Sequence, residues 1–217
     1  LSVGAKSPLT NGIKEANVGG SAAQKIARIG FQAVVIEGCA KELTGLKIDK
    51  NGATFFPAFS LKGAGNYELI EKMRKEHANN ISSISIGPAG EMRLRAASVM
   101  VTTPDFHIRV ASRGGMGAVM GSKNLKALLI DDTGCNAVEA KNKEKLREAV
   151  AALSKAILAD PLGPGFRDIG TPVLVMIINS IGCFPTKNYS LGQFGGAEKI
   201  SGEYMAELMK KRPNACL

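Results

Sequence analysis

The apolar positions of the first 133 residues fall into short runs, several of them rich in Val and Ile, separated by Gly, Pro and Asn. Runs of this length between turn-forming residues are typical of β-strands. The pattern predicts strands at residues 33–38, 46–49, 53–56, 81–87, 93–101 and 125–131. Asn51 and Gly52 separate the second run from the third and predict a β-hairpin, because this pair suits the tight turn that a hairpin needs.

Two segments of the same region show helical periodicity instead. The first, residues 22–29, is followed by Gly30, a residue that commonly ends helices. The second starts at Asn66, a good helix-capping residue, and is predicted to extend to about Ala78. The front of the chain therefore combines strands with a few helices, without the regular alternation of a parallel α/β fold.

Beyond residue 133 the pattern becomes helical. Residues 134–142 are predicted to be a linker, and Asn142 then starts a strongly amphipathic helix. Three further segments follow: a break at 161–165, an apolar helix at 172–180 and a last helix at 201–211. Strands in front and helices behind predict an α+β fold with two domains, 1–133 and 134–217.

Composition narrows the function classes. Hydrophobic residues make up 45% of the chain and charged residues 22%, which is ordinary for a globular protein. The apolar runs are too short to span a membrane, so we expect no membrane partner. The net charge of +9 leaves two interpretations open: an acidic partner surface outside this chain, or attraction to anions such as phosphate. Since the chain lacks a long Lys/Arg block, we expect no nucleic-acid partner.

Three other observations concern context. The four cysteines are widely spaced and require no disulfides, which predicts a reducing, cytoplasmic setting. The chain starts with Leu1 and ends directly after a helical pattern, so we expect a fragment of a longer protein. The spacing of His, Ser, Asp and Cys matches no hydrolase triad or zinc site, and we assign no catalytic residue.

Two glycine-rich stretches are the candidates for ligand chemistry. Asn17-Val18-Gly19-Gly20 precedes a predicted helix, where main-chain N–H groups can bind an anion. The stretch from Arg109 to Asp131 combines arginines and lysines with glycines, and arginine with glycine amides suits phosphate. It does not match a P-loop or a dinucleotide-binding fingerprint. The residues alone leave two interpretations open for each stretch: a ligand site or a structural turn.

Four blocks of the sequence, in the same order, resemble the tungsten-containing aldehyde ferredoxin oxidoreductases. The blocks are AKSPLTNGIKEANVGGSAAQKIARIGFQAVVIEGCAK (5–41), ISIGPAGEMRLRAASVM (84–100), RVASRGGMGAVMGSKNLKAL (109–128), and GTPVLVMIINSIGCFPTKNYSLGQF (170–194) with ISGE (200–203). The resemblance implies an N-terminal domain of two β-sheets that forms a base for the cofactor, followed by the start of a helical domain. In this family the cofactor is tungsten, or sometimes molybdenum, held by two pyranopterins whose phosphates are bridged by magnesium.

The resemblance also implies roles for individual residues. Asn17 and Val110 match the two residues whose main-chain carbonyls bind magnesium; the family often has alanine where Val110 stands, but a carbonyl ligand does not depend on the side chain. Gly19 matches a glycine whose backbone meets a pterin, and Arg109 matches an arginine that contacts the pterin phosphates.

Ala111, Ser112 and Arg113 continue the same cofactor-binding loop, with Ser112 in place of a common glycine. Lys123 and Lys126 are weaker candidates for contacts. Cys216 resembles the first cysteine of the family's CxxCxxxC motif, which binds a [4Fe-4S] cluster.

The function that follows from the resemblance is the oxidation of an aldehyde to a carboxylic acid, with electrons passing through the [4Fe-4S] cluster to ferredoxin. We therefore expect an enzyme whose partners are ferredoxin and an aldehyde, and whose fragment is inactive by itself. A homodimer is one open possibility for the oligomeric state. The alternative function is a non-catalytic domain that binds a phosphate-bearing ligand.

Overall fold

The computed structural model describes residues 1–76 and 81–209, which form two compact units. The first unit is Leu1–Val138 and the second begins at Glu139. The predicted helix end at Ala78, the end of the last predicted helix at residue 211 and the candidate cluster ligand Cys216 lie outside the described residues.

The first unit combines two sheets with four short or medium helices in its described residues. In chain order the elements are β1 (Ser2–Lys6), β2 (Ile13–Asn17), α1 (Ala22–Ile29), β3 (Thr44–Asp49), β4 (Gly52–Pro57), a 3₁₀ turn (Phe59–Leu61), α2 (Asn66–Glu76), β5 (Ile81–Ser85), α3 (Pro88–Glu91), β6 (Val99–Thr102), β7 (Ile108–Ala111), α4 (Met116–Ser122) and β8 (Leu125–Asp131).

The strands β1 and β2 form a two-stranded antiparallel sheet, and the other six form a mixed sheet in the order β4-β3-β8-β5-β6-β7. Within the larger sheet β3 and β8 are parallel, and the remaining neighbours are antiparallel. Residues Leu125 to Ile130 of β8 are all buried, because this strand lies inside the sheet with apolar layers on both faces. The predicted α+β class with two sheets is confirmed.

Two apolar clusters cover the faces of the large sheet. One contains Ile26 of α1 and Met116 of α4, together with Leu128 and Ile130 of β8. The other contains Leu69, Ile70 and Met73 of α2, packed against Ala127 and Leu129. This arrangement follows from the period of a strand, whose successive side chains point to opposite faces.

The sequence predicted several of these elements and missed others. The hairpin of β3 and β4, the strand β8 and the helix α1 with Gly30 at its end agree with the structure. The segment 33–38 was predicted as a buried strand and is instead an irregular segment in which Val35 is 81% exposed. Its apolar residues suit a strand, but no strand of the described residues pairs with it.

The prediction of a strand at 93–101 is correct only at its end. Residues 93–98 form turns, with Arg93 in the left-handed region at φ +57°, and β6 begins at Val99. The strands β1, β2 and β7 were not predicted. All three carry mostly exposed or half-buried side chains, so they lack the apolar alternation that marks a strand.

The described residues of the second unit contain helices but no named strand. The elements are α5 (Lys143–Ala159), α6 (Gly163–Asp168), a 3₁₀ turn (Thr171–Val173), α7 (Leu174–Ser180), a second 3₁₀ turn (Ala197–Ile200) and α8 (Gly202–Leu208). Asn142 caps α5 as predicted, since its side chain accepts a hydrogen bond of 2.9 Å from the Lys145 N–H. The predicted break at 161–165 is partly wrong, because α6 begins at Gly163.

Through residues 1–76 and 81–209, no helix combines the length and the apolar character that a membrane crossing requires.

Candidate cofactor-binding site

The loop Asn17-Val18-Gly19-Gly20 lies against the end of β6. Gly20 has φ +117°, and a Cβ atom at this position would come within 2.7 Å of the Thr102 carbonyl oxygen and 2.9 Å of Val101 Cγ1. The Ser21 N–H donates a hydrogen bond of 3.0 Å to the same carbonyl. Only glycine fits the left-handed conformation and the close approach together, so Gly20 sets how near the loop lies to the strand.

The second candidate stretch begins on β7, which pairs with the same strand from its other side. Arg109 lies opposite Val101, and Val110 lies opposite Met100. Val101 is therefore next to Arg109 across the sheet and next to Gly20 through its side chain. The fold brings the two stretches together around β6, although 89 positions separate Gly20 from Arg109 in the sequence.

Asn17 directs its main-chain groups away from β1. Leu1 and Val18 exchange both main-chain hydrogen bonds, at 2.9 and 3.0 Å. Hydrogen-bonded and non-hydrogen-bonded pairs alternate along an antiparallel ladder, so the next pair, Ser2 with Asn17, is non-hydrogen-bonded. The Asn17 carbonyl therefore points outward from the small sheet, which suits a main-chain metal ligand.

The same alternation applies to β7. The Thr103 N–H donates a hydrogen bond of 2.9 Å to the His107 carbonyl, so the next pair, Thr102 with Ile108, is non-hydrogen-bonded and the Thr102 carbonyl is left to accept from Ser21. Two residues further along, the pair Met100 with Val110 is non-hydrogen-bonded as well. In the described part of the chain β7 is an edge strand, and the Val110 carbonyl points off that edge.

The remaining candidate residues differ in exposure. Arg109 is half-buried, Ala111 is fully buried, and Ser112 and Arg113 are exposed. Ala111 pairs with Val99 one position beyond the Met100–Val110 pair, so its main-chain groups face β6, whereas Ser112 and Arg113 are able to contribute side chains. Gly19 is half-buried beside the closely packed Gly20.

The backbone conformation and the packing require glycine at the two positions that follow Arg113. Gly114 and Gly115 both have positive φ, at 75° and 72°. A Cβ atom on Gly114 would collide with the Lys14 side chain of β2, and the Ser7 hydroxyl donates a hydrogen bond of 2.8 Å to the Gly114 carbonyl. The glycine turn therefore lets β7 and α4 pack against the β1–β2 hairpin.

Two lysines of the stretch from Arg109 to Asp131 bind other groups of the protein. Lys126 is fully buried, forms an ion pair with Glu91 and donates a hydrogen bond of 2.9 Å to the Ala64 carbonyl. Lys123 donates to the Gly38 carbonyl at 3.0 Å. Lys126 is therefore committed to the fold, which corrects its assignment as a weak candidate for cofactor contacts, whereas for the half-buried Lys123 that assignment stays a prediction.

A buried polar network beneath the loop was not predicted from the sequence. The hydroxyls of Ser21, Ser82 and Thr102 lie within hydrogen-bonding distance in series, at 3.0 and 3.3 Å. The serines of ISSISIG are polar residues in a buried strand, which was the available signal for such a network.

A buried ion pair stands beside the network. Asp132 accepts hydrogen bonds from Lys25 and Arg28, both on α1. Burial raises the pKa of the Asp132 carboxyl, but the hydrogen bonds from Lys25 and Arg28 outweigh burial and hold that pKa below its ordinary value. The pair ties α1 to the residue that follows β8.

Across the described residues, no group of three or more His, Cys, Asp or Glu side chains is arranged to hold a metal ion. A hard cation at this site would therefore be bound by main-chain carbonyl oxygens of the protein and by oxygens of the bound small molecule.

Two sequence profiles of one enzyme family match this chain. Residues 1–132 match the sequence profile described as aldehyde ferredoxin oxidoreductase, N-terminal domain, and residues 148–217 match the profile of domains 2 and 3 of the same enzymes. The chain belongs to the aldehyde ferredoxin oxidoreductase family. The resemblance inferred from the four sequence blocks is confirmed.

Individual relatives are much longer than this chain. It is 39% identical over 214 residues to a tungsten-containing aldehyde ferredoxin oxidoreductase of Pyrococcus horikoshii, which covers 97% of this chain and 34% of that protein. It is 29% identical over 183 residues to the aliphatic sulfonate oxidoreductase, WOR-like subunit, of Pyrococcus furiosus. The chain thus spans about a third of the length of its tungsten-containing relatives.

A solved structure agrees with the fold. The active site complex BamBC of benzoyl coenzyme A reductase, in complex with 1,5-dienoyl-CoA, matches with a TM-score of 0.73 and 24% identity. The match covers 98% of this chain and 34% of that chain.

Proposed function

We propose that this chain is part of a tungsten or molybdenum oxidoreductase that converts aldehydes to carboxylic acids and passes the electrons through a [4Fe-4S] cluster to ferredoxin. Its membership of the aldehyde ferredoxin oxidoreductase family supports the class of reaction. The observation that carries the proposal at the level of residues is the meeting of the 17–20 loop and β7 on β6.

In this proposal residues 1–133 bind the pterin cofactor and residues 134–217 begin the helical domain. The outward carbonyls of Asn17 and Val110 would hold the magnesium ion of the cofactor. Arg109 donates charge-assisted hydrogen bonds to those phosphates, and the Gly19 backbone contacts a pterin. When bound, the metal with its pterins supplies the two-electron oxidation of the aldehyde.

The other residues have supporting roles. Ala111, Ser112 and Arg113 continue the phosphate-binding loop from β7, and Cys216 contributes one thiolate to the iron–sulfur cluster. A cytoplasmic setting is part of the proposal, supported by the free thiols of Cys39, Cys135 and Cys183.

The direct experiment is metal and pterin analysis of the full-length protein expressed with tungstate and molybdate. We expect about one tungsten or molybdenum and about four iron atoms per chain. Protein that contains phosphate-bearing ligand but neither metal would favour the second candidate, a non-catalytic phosphate-binding domain. This second candidate is supported by the same residues, since the main-chain carbonyls and Arg109 would also suit a phosphate-bearing ligand without tungsten or molybdenum.

A variant tests the role of Arg109. Arg109→Ala removes the phosphate donor, so we expect lower pterin content per chain than in wild-type protein. Arg147→Ala, on the exposed surface of α5, is the matched control for loss of an arginine. Pterin content that is equal in the two variants would contradict the proposed role.

A further inference from the structure

The hydroxyl network beneath the 17–20 loop is buried and directional. Ser21, Ser82 and Thr102 are 8%, 0% and 2% exposed, so water does not compete for their hydrogen bonds. The Ser21 hydroxyl lies 3.0 Å from Ser82 Oγ and 3.1 Å from the Thr102 carbonyl oxygen. The Ser83 N–H donates to Thr102 Oγ1 at 2.8 Å.

Ser21 uses its side chain in an unusual way for its position. It is the residue before α1, where a serine hydroxyl normally accepts a hydrogen bond from the first turn of the helix. Here the Ser21 hydroxyl makes no such cap and contacts the large sheet instead. The side chain therefore fixes the loop to the sheet and does not stabilise the helix start.

Thr102 occupies the point where the two halves of the candidate site meet. Its carbonyl accepts from both the N–H and the hydroxyl of Ser21, while its hydroxyl accepts from β5. On its other side β6 pairs with β7, which carries Arg109 and Val110. A shift of Thr102 would change the distance between the loop and β7.

We propose that Ser21 and Thr102 are positioning residues for the cofactor site, which hold the 17–20 loop at a fixed distance from β7. This proposal rests on the proposed function above. Neither residue contacts the cofactor in this account; both act through the main chain of Asn17 to Gly20 and of β7. A change in the hydroxyl network would therefore alter the spacing between the main chain of Asn17 and that of Val110, the two residues to which the proposed function assigns the magnesium ion.

The test uses three variants of the full-length protein and two measurements, cofactor content and amide hydrogen exchange. Ser21→Ala removes the hydroxyl contacts without removing a helix cap, and Thr102→Val removes the hydroxyl that accepts from Ser83. We expect the protection factor of the amide at position 21, which corrects for the intrinsic exchange rate of each residue type, to fall roughly fivefold in Ser21→Ala, the effect of losing one hydrogen bond. We also expect a lower content of metal and pterin per chain in both variants, with Thr102→Ser restoring the content.

The matched control is Ile70→Val in the apolar cluster under α2, which weakens the core without touching the network. Equal metal and pterin content in Ser21→Ala, Thr102→Val and Ile70→Val would overturn the proposal, as would unchanged exchange in residues 18–21. Wild-type protein that lacks pterin and both metals would refute the proposed function instead, and with it any cofactor role for the two residues. Exchange would then still report whether the network holds the loop.

Discussion

The close approach of Gly20 to β6 gives the sharpest prediction, and the change is Gly20→Ala. The added methyl group enters at φ +117°, a conformation that costs an L-residue about 1–2 kcal/mol. It also meets the Thr102 carbonyl at 2.7 Å and Val101 Cγ1 at 2.9 Å. Overpacking of this kind costs about 1–3 kcal/mol, so we expect the free energy of unfolding to fall by about 2–5 kcal/mol.

Gly30 provides a control that separates the two costs. Its φ is +104°, and a Cβ atom there would have no heavy atom within 4 Å. Gly30→Ala therefore carries the backbone cost without the collision, and we expect a loss of only about 1–2 kcal/mol.

Urea unfolding of the two variants, followed by circular dichroism, measures both losses on the same scale. The larger loss should belong to Gly20→Ala, because only that variant displaces the loop from β6. Equal losses would refute the reasoning, since they would mean that the contact with Thr102 does not constrain the chain.

Three further predictions concern charges and a helix cap. Asp132→Asn removes the carboxylate that pairs with the buried Lys25 and should lower the free energy of unfolding in urea by about 3–5 kcal/mol. Because the pKa of Asp132 is lowered in the folded protein, wild-type stability should fall as the pH drops below about 4. A variant whose stability falls with pH just as that of wild type does would contradict this role of Asp132. Lys126→Met leaves Glu91 without its ion-pair partner and should cost about 3 kcal/mol in thermal unfolding, whereas an unchanged midpoint would count against the buried pair. Asn142→Ala removes the N-terminal cap of α5 and should lower the stability of that helix by about 1 kcal/mol, measured by amide exchange in its first turns. Unchanged exchange would argue against the cap.

Local signals explain which elements the sequence could predict. The β3–β4 hairpin turns at Lys50 and Asn51 and has Gly52 at φ +123° as the first residue of β4, so the Asn-Gly pair marks it within one residue. Asn142 defines the start of α5 through a hydrogen bond to a residue three positions away. Segment 33–38 shows the limit of such signals, because its apolar residues suit a strand but the fold offers it no pairing strand among the described residues.

In the candidate site, too, some residues could be predicted from the sequence and others could not. Asn17, Gly19 and Arg109 could be named from the family resemblance, and the fold brings their two segments to one strand. The Ser21–Thr102 contact could not be predicted, because it joins residues 81 positions apart and depends on how α1 packs on the sheet. Lys126 is instructive for the opposite reason: its place in a basic, glycine-rich stretch suggested a ligand contact, and its ion pair with Glu91 is visible only in three dimensions.

The long sequence separation of these contacts has a consequence for the order of folding. Ser21 needs β5 and β6, and Lys25 needs Asp132, which lies 107 residues further along the chain. The 17–20 loop therefore cannot adopt its final position during synthesis until the residues of β8 have emerged and entered the sheet. Under the proposed function, a cofactor that arrives earlier would meet the β7 segment or the 17–20 loop but not both in place, so we expect its insertion to follow the folding of the first unit.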